Sequence, residues 1–132
     1  MADADPSERL RSSLVAAARE FNARRYFEAH EMLEDALDEV PEDRWSLFLG
    51  LIQIAVGYHK ISQSLWSGAA RMLAIGLDKV APFSDALAGL EIEALRVRAR
   101  RDLEALREGA FDAAGFERSP PRFTPLPRRR TP

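Results

Sequence analysis

The chain contains no cysteine, which excludes disulfides, thiolate nucleophiles and the cysteine-based structural zinc sites. Histidine is nearly missing too, with His30 and His59 alone, so His, Asp and Glu are the only metal ligands available. Seven glycines are scattered through 132 residues, and they form no phosphate-cradling loop, dinucleotide fingerprint or nucleophile elbow. These absences call for no cofactor. Long apolar runs are lacking as well. The longest predominantly apolar stretch, Leu47 to Tyr58, has 12 residues, short of the roughly 20 that span a bilayer. The opening MADADPSERL lacks the hydrophobic region of a secretory signal. No membrane span is expected, and the cytoplasm is the expected location.

What is present suits one globular domain: 46% hydrophobic and 30% charged residues in a chain near the modal domain size. The net charge of −2 is unevenly divided, with +4 on residues 117–132 and −6 on the 116 residues before them. An acidic body argues against a nucleic-acid-binding core, because phosphate contacts need clustered Lys and Arg. Residues 117–132 hold five prolines without a periodic apolar face, so they read as a disordered, basic tail after a single helical domain at 1–116. Arg128, Arg129 and Arg130 in that tail offer at most a weak contact to nucleic acid or an acidic partner.

The stretch LFLGLIQIAVGY is apolar on every side except Gln53, the pattern of a helix with neighbours all round it. Apolar spacing places it within a helix over about 43–62 and predicts four others, over about 6–22, 24–39, 65–80 and 91–108. Asp5, Pro6 and Glu8 open the first with a cap and capping box; Pro41, Pro82 and Gly109 close later ones. No run of period-two alternation predicts a strand. The expected fold is all-α: a compact bundle of about five helices, built from antiparallel hairpins around a central apolar helix. Ala29, Leu33, Ala36, Leu37 and Pro41 recur 40 residues later as Ala69, Leu73, Gly76, Leu77 and Pro82, the last shifted by one. That spacing resembles the second helix of a tetratricopeptide unit.

The densest polar cluster is FEAHEMLED, residues 27–35. His30 and Glu34 lie four residues apart on one helix face, so both can reach one divalent metal or share one proton. Glu31 lies further toward solvent. The HExxE pattern departs from the zinc-protease HExxH at Glu34, where a second His is required. Phe27 falls beside Glu34 on the polar side, which implies that another helix covers this region and half-buries the pair. Gln53 reads as a core amide, and His59 as a favourable charge near a helix C-terminus. Trp45, Tyr58 and Trp66 read as core or rim aromatics.

FNARRYFEAHEMLED, then GLIQIAVGYHK, then SGAARML and GLEIEAL together resemble the domain of unknown function 309 family over about residues 21–92. The resemblance implies a small all-α fold and, as the family's name states, no established activity. It places the family's characteristic polar residues on Glu28, His30, Glu31, Glu34 and Gln53. The chain departs from the family pattern at Ala36-Leu37, where a Trp is usual, and at Ser64-Leu65, where Gly-Asn is usual.

Candidate binding residues are therefore Glu28, His30, Glu31, Glu34, Gln53 and His59, with His30 and Glu34 as the pair able to touch a metal. The favoured reading is a non-catalytic module that binds a protein or a small molecule. The alternative is a small metal-dependent or acid/base enzyme, hydrolase-like, using His30, Glu31 and Glu34.

Overall fold

The computed structural model describes residues 6–83, 86–87 and 90–125. Six α-helices occupy these residues: α1 (Pro6–Asn22), α2 (Tyr26–Asp35), α3 (Trp45–Ser62), α4 (Trp66–Val80), α5 (Glu93–Arg107) and α6 (Ala113–Arg118). Asp5, expected to cap α1, lies outside the described residues. The fold is all-α, with each of the first four helices packed on the next and α3 against α4 the most extensive pairing. Leu47, Phe48, Leu51, Ile54, Ala55, Tyr58 and Ile61 of α3 are all buried, so the central helix is enclosed as its composition demands. No helix among the described residues is long and apolar enough to cross a membrane.

Helix α3 lies close to α4 because both carry glycine at the contact. A Cβ on Gly50 would come within 2.8 Å of the Gly76 carbonyl oxygen, and one on Gly76 within 2.7 Å of the Gly50 oxygen. The two backbones touch there with no side chain between them.

Two tight links turn the chain, between α1 and α2 and between α3 and α4. In the first, Arg24 adopts a positive φ of 68°; in the second Ser64, 40 positions later, has φ 59°. Their hydrogen bonds correspond one to one. The amides of Arg24 and Arg25 donate to the carbonyls of Phe21 and Glu20, and those of Ser64 and Leu65 donate to Ile61 and Lys60. This is the left-handed ending that satisfies the last orphan carbonyls of a helix. Beyond each link, Ala29, Leu33 and Ala36 are buried, as are their counterparts Ala69, Leu73 and Gly76. The backbone geometry thus repeats at the two links and over the helical turns that follow them, up to Asp35, beyond which α4 stays helical and α2 does not.

Three departures from the sequence pattern are local. Helix α2 starts at Tyr26 and gives way to a 3-10 turn at Ala36–Glu39, because Pro41 holds Val40 extended at φ −86°, ψ 127°. Two-residue strands β1 (Ala86–Leu87), β2 (Leu90–Glu91) and β3 (Thr124–Pro125) form a small antiparallel ladder, although no strand was expected. At two residues each, they are too short for period-two alternation to be visible.

The third departure concerns the chain end. Residues 117–125 do not form the start of a disordered tail. Helix α6 runs through Glu117 and Arg118, Phe123 is buried, and β3 pairs with β2. The packed domain therefore passes the boundary drawn at 116, since two aromatics suffice to fix a proline-rich segment. Residues 126–132, with Arg128 to Arg130, lie outside the described residues.

Candidate functional site

Helix α2 carries the expected cluster on its first two turns. The His30 Nε2 atom lies 3.0 Å from Glu34 Oε2, and its Nδ1 lies 2.8 Å from the Phe27 carbonyl oxygen. The i, i+4 spacing therefore does bring His30 and Glu34 together. Because a carbonyl only accepts, Nδ1 carries the hydrogen on that side, and Nε2 pairs with the carboxylate only when it carries a proton as well. The His30 side chain is 17% exposed and that of Glu34 59%, so the carboxylate reaches into solvent rather than into a covered cluster. Phe27, expected beneath another helix, is itself 44% exposed.

The other sequence candidates gather less closely. His59 at the end of α3 meets the cluster through Phe27, whose ring centroid lies 5.2 Å from that of His59 and 5.0 Å from that of His30. Glu28 is half-buried and Glu31 exposed. Gln53 is half-buried, and its amide oxygen is buried without a partner. Among the described residues no three His, Asp or Glu side chains converge in a way that could hold a metal ion. His30 and Glu34 supply two ligands, and nothing adjacent supplies a third.

A second polar cluster escaped the sequence reading. Tyr58 of α3 donates to Asp102 Oδ2 of α5 at 2.6 Å, and Arg98 Nε donates to the same oxygen at 2.9 Å. Asp102 is the one buried charged residue among those described. A carboxylate withdrawn from water requires such partners, and here a phenol and a guanidinium provide them. Burial, reinforced by the Asp102 carboxylate, pushes the Tyr58 phenol well above its ordinary value, so it stays protonated and donates. Burial likewise pushes Tyr26 up to about 12. Its hydroxyl, however, is buried without a hydrogen-bond partner. A signal for this cluster was available. Position 102 falls on the inward face with Leu95, Ala99 and Leu103, where a carboxylate is out of place, and Arg98 precedes it by one turn.

Around these groups lies an aromatic knot. Tyr26 and Tyr58 contact each other, and each contacts both Phe21 and Phe116, at centroid distances of 5.0–6.3 Å, with Phe116 stacked on Tyr58 at 9° between planes. A cleft of about 380 Å³ opens beside it, lined by Arg98, Arg101, Asp102, Phe111 and Phe116 among others. The arrangement offers hydrogen bonding and aromatic surface.

Residues 14–72 match the sequence model of the family described as Domain of unknown function (DUF309). The matched span includes α2, α3 and the His30–Glu34 pair, and ends before α5 with Asp102. No curated protein and no solved structure matches the chain significantly.

Proposed function

We propose, on the premise that residues 14–72 belong to the DUF309 family, that this chain is a non-catalytic interaction module with a protein partner. One observation carries the reading: large apolar side chains stand exposed at the end of the bundle where both tight links lie. Phe27 opens α2 there, and Leu65 and Trp66 open α4, at 44%, 49% and 42% exposure. Apolar rings set among polar neighbours at one end of a rigid scaffold suit contact with another macromolecule. The duplicated hairpins support the same reading, since paired helices of tetratricopeptide-like spacing commonly present recognition surfaces. A cytoplasmic location goes with it, the fold relying on no disulfide.

The test is a peptide-display selection against the wild-type chain, with Phe27→Asp/Trp66→Asp as counter-selection. Enrichment of sequences that bind the wild type and not the double variant supports the reading. Failure to enrich any sequence overturns it.

A further inference from the structure

The end of the described chain is bound to the bundle as a separate peptide would be. Asn22, the last residue of α1, grips the backbone of Phe123 from both sides. Its Nδ2 donates to the Phe123 carbonyl at 2.8 Å, and its Oδ1 accepts from the Phe123 amide at 2.8 Å. A side-chain amide paired in this way reads main chain and ignores sequence, as a neighbouring strand would. Two aromatic side chains anchor the segment, one of them that of the gripped residue itself. Phe123 packs on Phe21 of α1 at 4.5 Å between centroids, and Phe116 lies on Tyr58 of α3 and Tyr26 of α2. Between them Arg24 binds Glu117 through both its carboxylate, at 2.7 Å, and its carbonyl.

The segment has little structure of its own. Helix α6 spans six residues, too few to persist in isolation. It joins α5 through Gly109, an exposed residue at φ 69° with nothing near its Cα on the side-chain face. Two buried rings, the amide grip, the Arg24–Glu117 contacts and the short β2–β3 pairing hold about a dozen residues whose backbone must be ordered against its own entropy. The fit is also incomplete. The buried Tyr26 hydroxyl beneath Phe116 has no partner, and a segment carrying a hydrogen-bond acceptor at that point would satisfy it.

We infer that the surface formed by Phe21, Asn22, Arg24, Tyr26 and Tyr58 is a peptide-binding groove, occupied in this structure by residues 116–123 of the same chain. The ligand it fits is a segment of a partner protein that makes a helical turn and then runs through prolines without helix, with aromatic side chains seven positions apart, as Phe116 and Phe123 are here. The chain's own segment competes with that partner. This rests on the interaction-module reading but uses a different surface, so the exposed Phe27 and Trp66 face stands or falls separately.

The probe is a fluorescent synthetic peptide of residues 113–125, titrated by anisotropy onto full-length chains. Wild type should bind it weakly, because the groove is filled. Phe123→Ala in the chain removes the internal competitor's anchor and should tighten binding by about tenfold or more. The same change made in the peptide should abolish binding, as should Asn22→Ala added to the Phe123→Ala chain. A folded Phe123→Ala chain that binds no peptide overturns the proposal. So does a wild-type dimer that the peptide leaves intact, which would assign the groove to a second copy. Should Phe123→Ala fail to fold, hydrogen exchange on the wild type decides. Amides of 113–123 exchanging together and faster than those of α3 support a detachable segment, and protection equal to α3 overturns it.

Discussion

Tyr26 and Tyr58 sit 5.8 Å apart in one aromatic knot, yet their hydroxyls have opposite standing. Removing the Tyr58 hydroxyl leaves the buried Asp102 with Arg98 alone, so Tyr58→Phe should cost about 1–3 kcal/mol. Removing the unpartnered Tyr26 hydroxyl deletes a buried polar atom that bonds to nothing, so Tyr26→Phe should be neutral or stabilising near pH 7. Urea unfolding of both variants checks the contrast. At alkaline pH the same phenols act together. The fold raises both above the unfolded value near 10, so between about pH 10 and 12 the native state keeps protons that the unfolded chain releases. Stability should therefore be intact below about pH 10 and fall as pH rises, with Tyr26 alone accounting for about 2–3 kcal/mol by pH 12. Tyr26→Phe should recover that share in unfolding curves recorded across this range.

At the scale of elements, the α3–α4 contact is set by backbone touching backbone. Gly76→Ala would press a methyl group to within 2.7 Å of the Gly50 carbonyl oxygen and 2.8 Å of Ile54 Cγ1. Overpacking then outweighs the gain of about 1 kcal/mol in helix propensity, and a net loss of about 1–3 kcal/mol is expected. Gly57→Ala should cost a similar amount, because its methyl would meet Leu73 at Cδ2 (2.8 Å), at Cγ (2.9 Å) and at the backbone nitrogen (3.3 Å), and that side chain is fully buried with no room to turn aside. The links make the opposite prediction. Ser64 holds φ 59° without being glycine, so Ser64→Gly should relieve the left-handed strain and gain about 0.5–1 kcal/mol, read as a rise in Tm. These elements were legible because long amphipathic patterns and prolines mark them: α1 and α3 end where their spacing ends. Helix α6 was not. Six residues give no period to read, and its one sequence sign is Asp112, whose side chain accepts from the Gly115 amide.

For the molecule as a whole, Phe123 offers a test of how its parts are joined. Truncating a fully buried Phe usually costs about 3–5 kcal/mol. If the segment it anchors detaches as a unit, the loss cannot exceed the free energy of that docking, so Phe123→Ala should cost less than about 3 kcal/mol. Leu73→Ala, in the middle of the bundle, should show the full penalty of about 2–5 kcal/mol. The fold and the site also differ in legibility at this scale. His30 and Glu34 were found in advance because they share one helix and their meeting is a matter of local period. Tyr58 with Asp102, and Asn22 with Phe123, meet across 44 and 101 positions of sequence. No periodicity within an element encodes such meetings; only the packing of the helices does.

The distance from Asn22 to Phe123 also has a meaning in time. A ribosome adds about 5–20 residues each second, so the 101 positions separating the amide from its partner take about 5–20 s to make. Helices α1 and α2 can pair long before then, with Phe21 and Tyr26 facing water at their shared end. For those seconds the nascent chain displays an uncovered aromatic surface, and whatever first meets it, whether a chaperone, a neighbouring nascent chain or a waiting partner, does so before residues 116–123 exist.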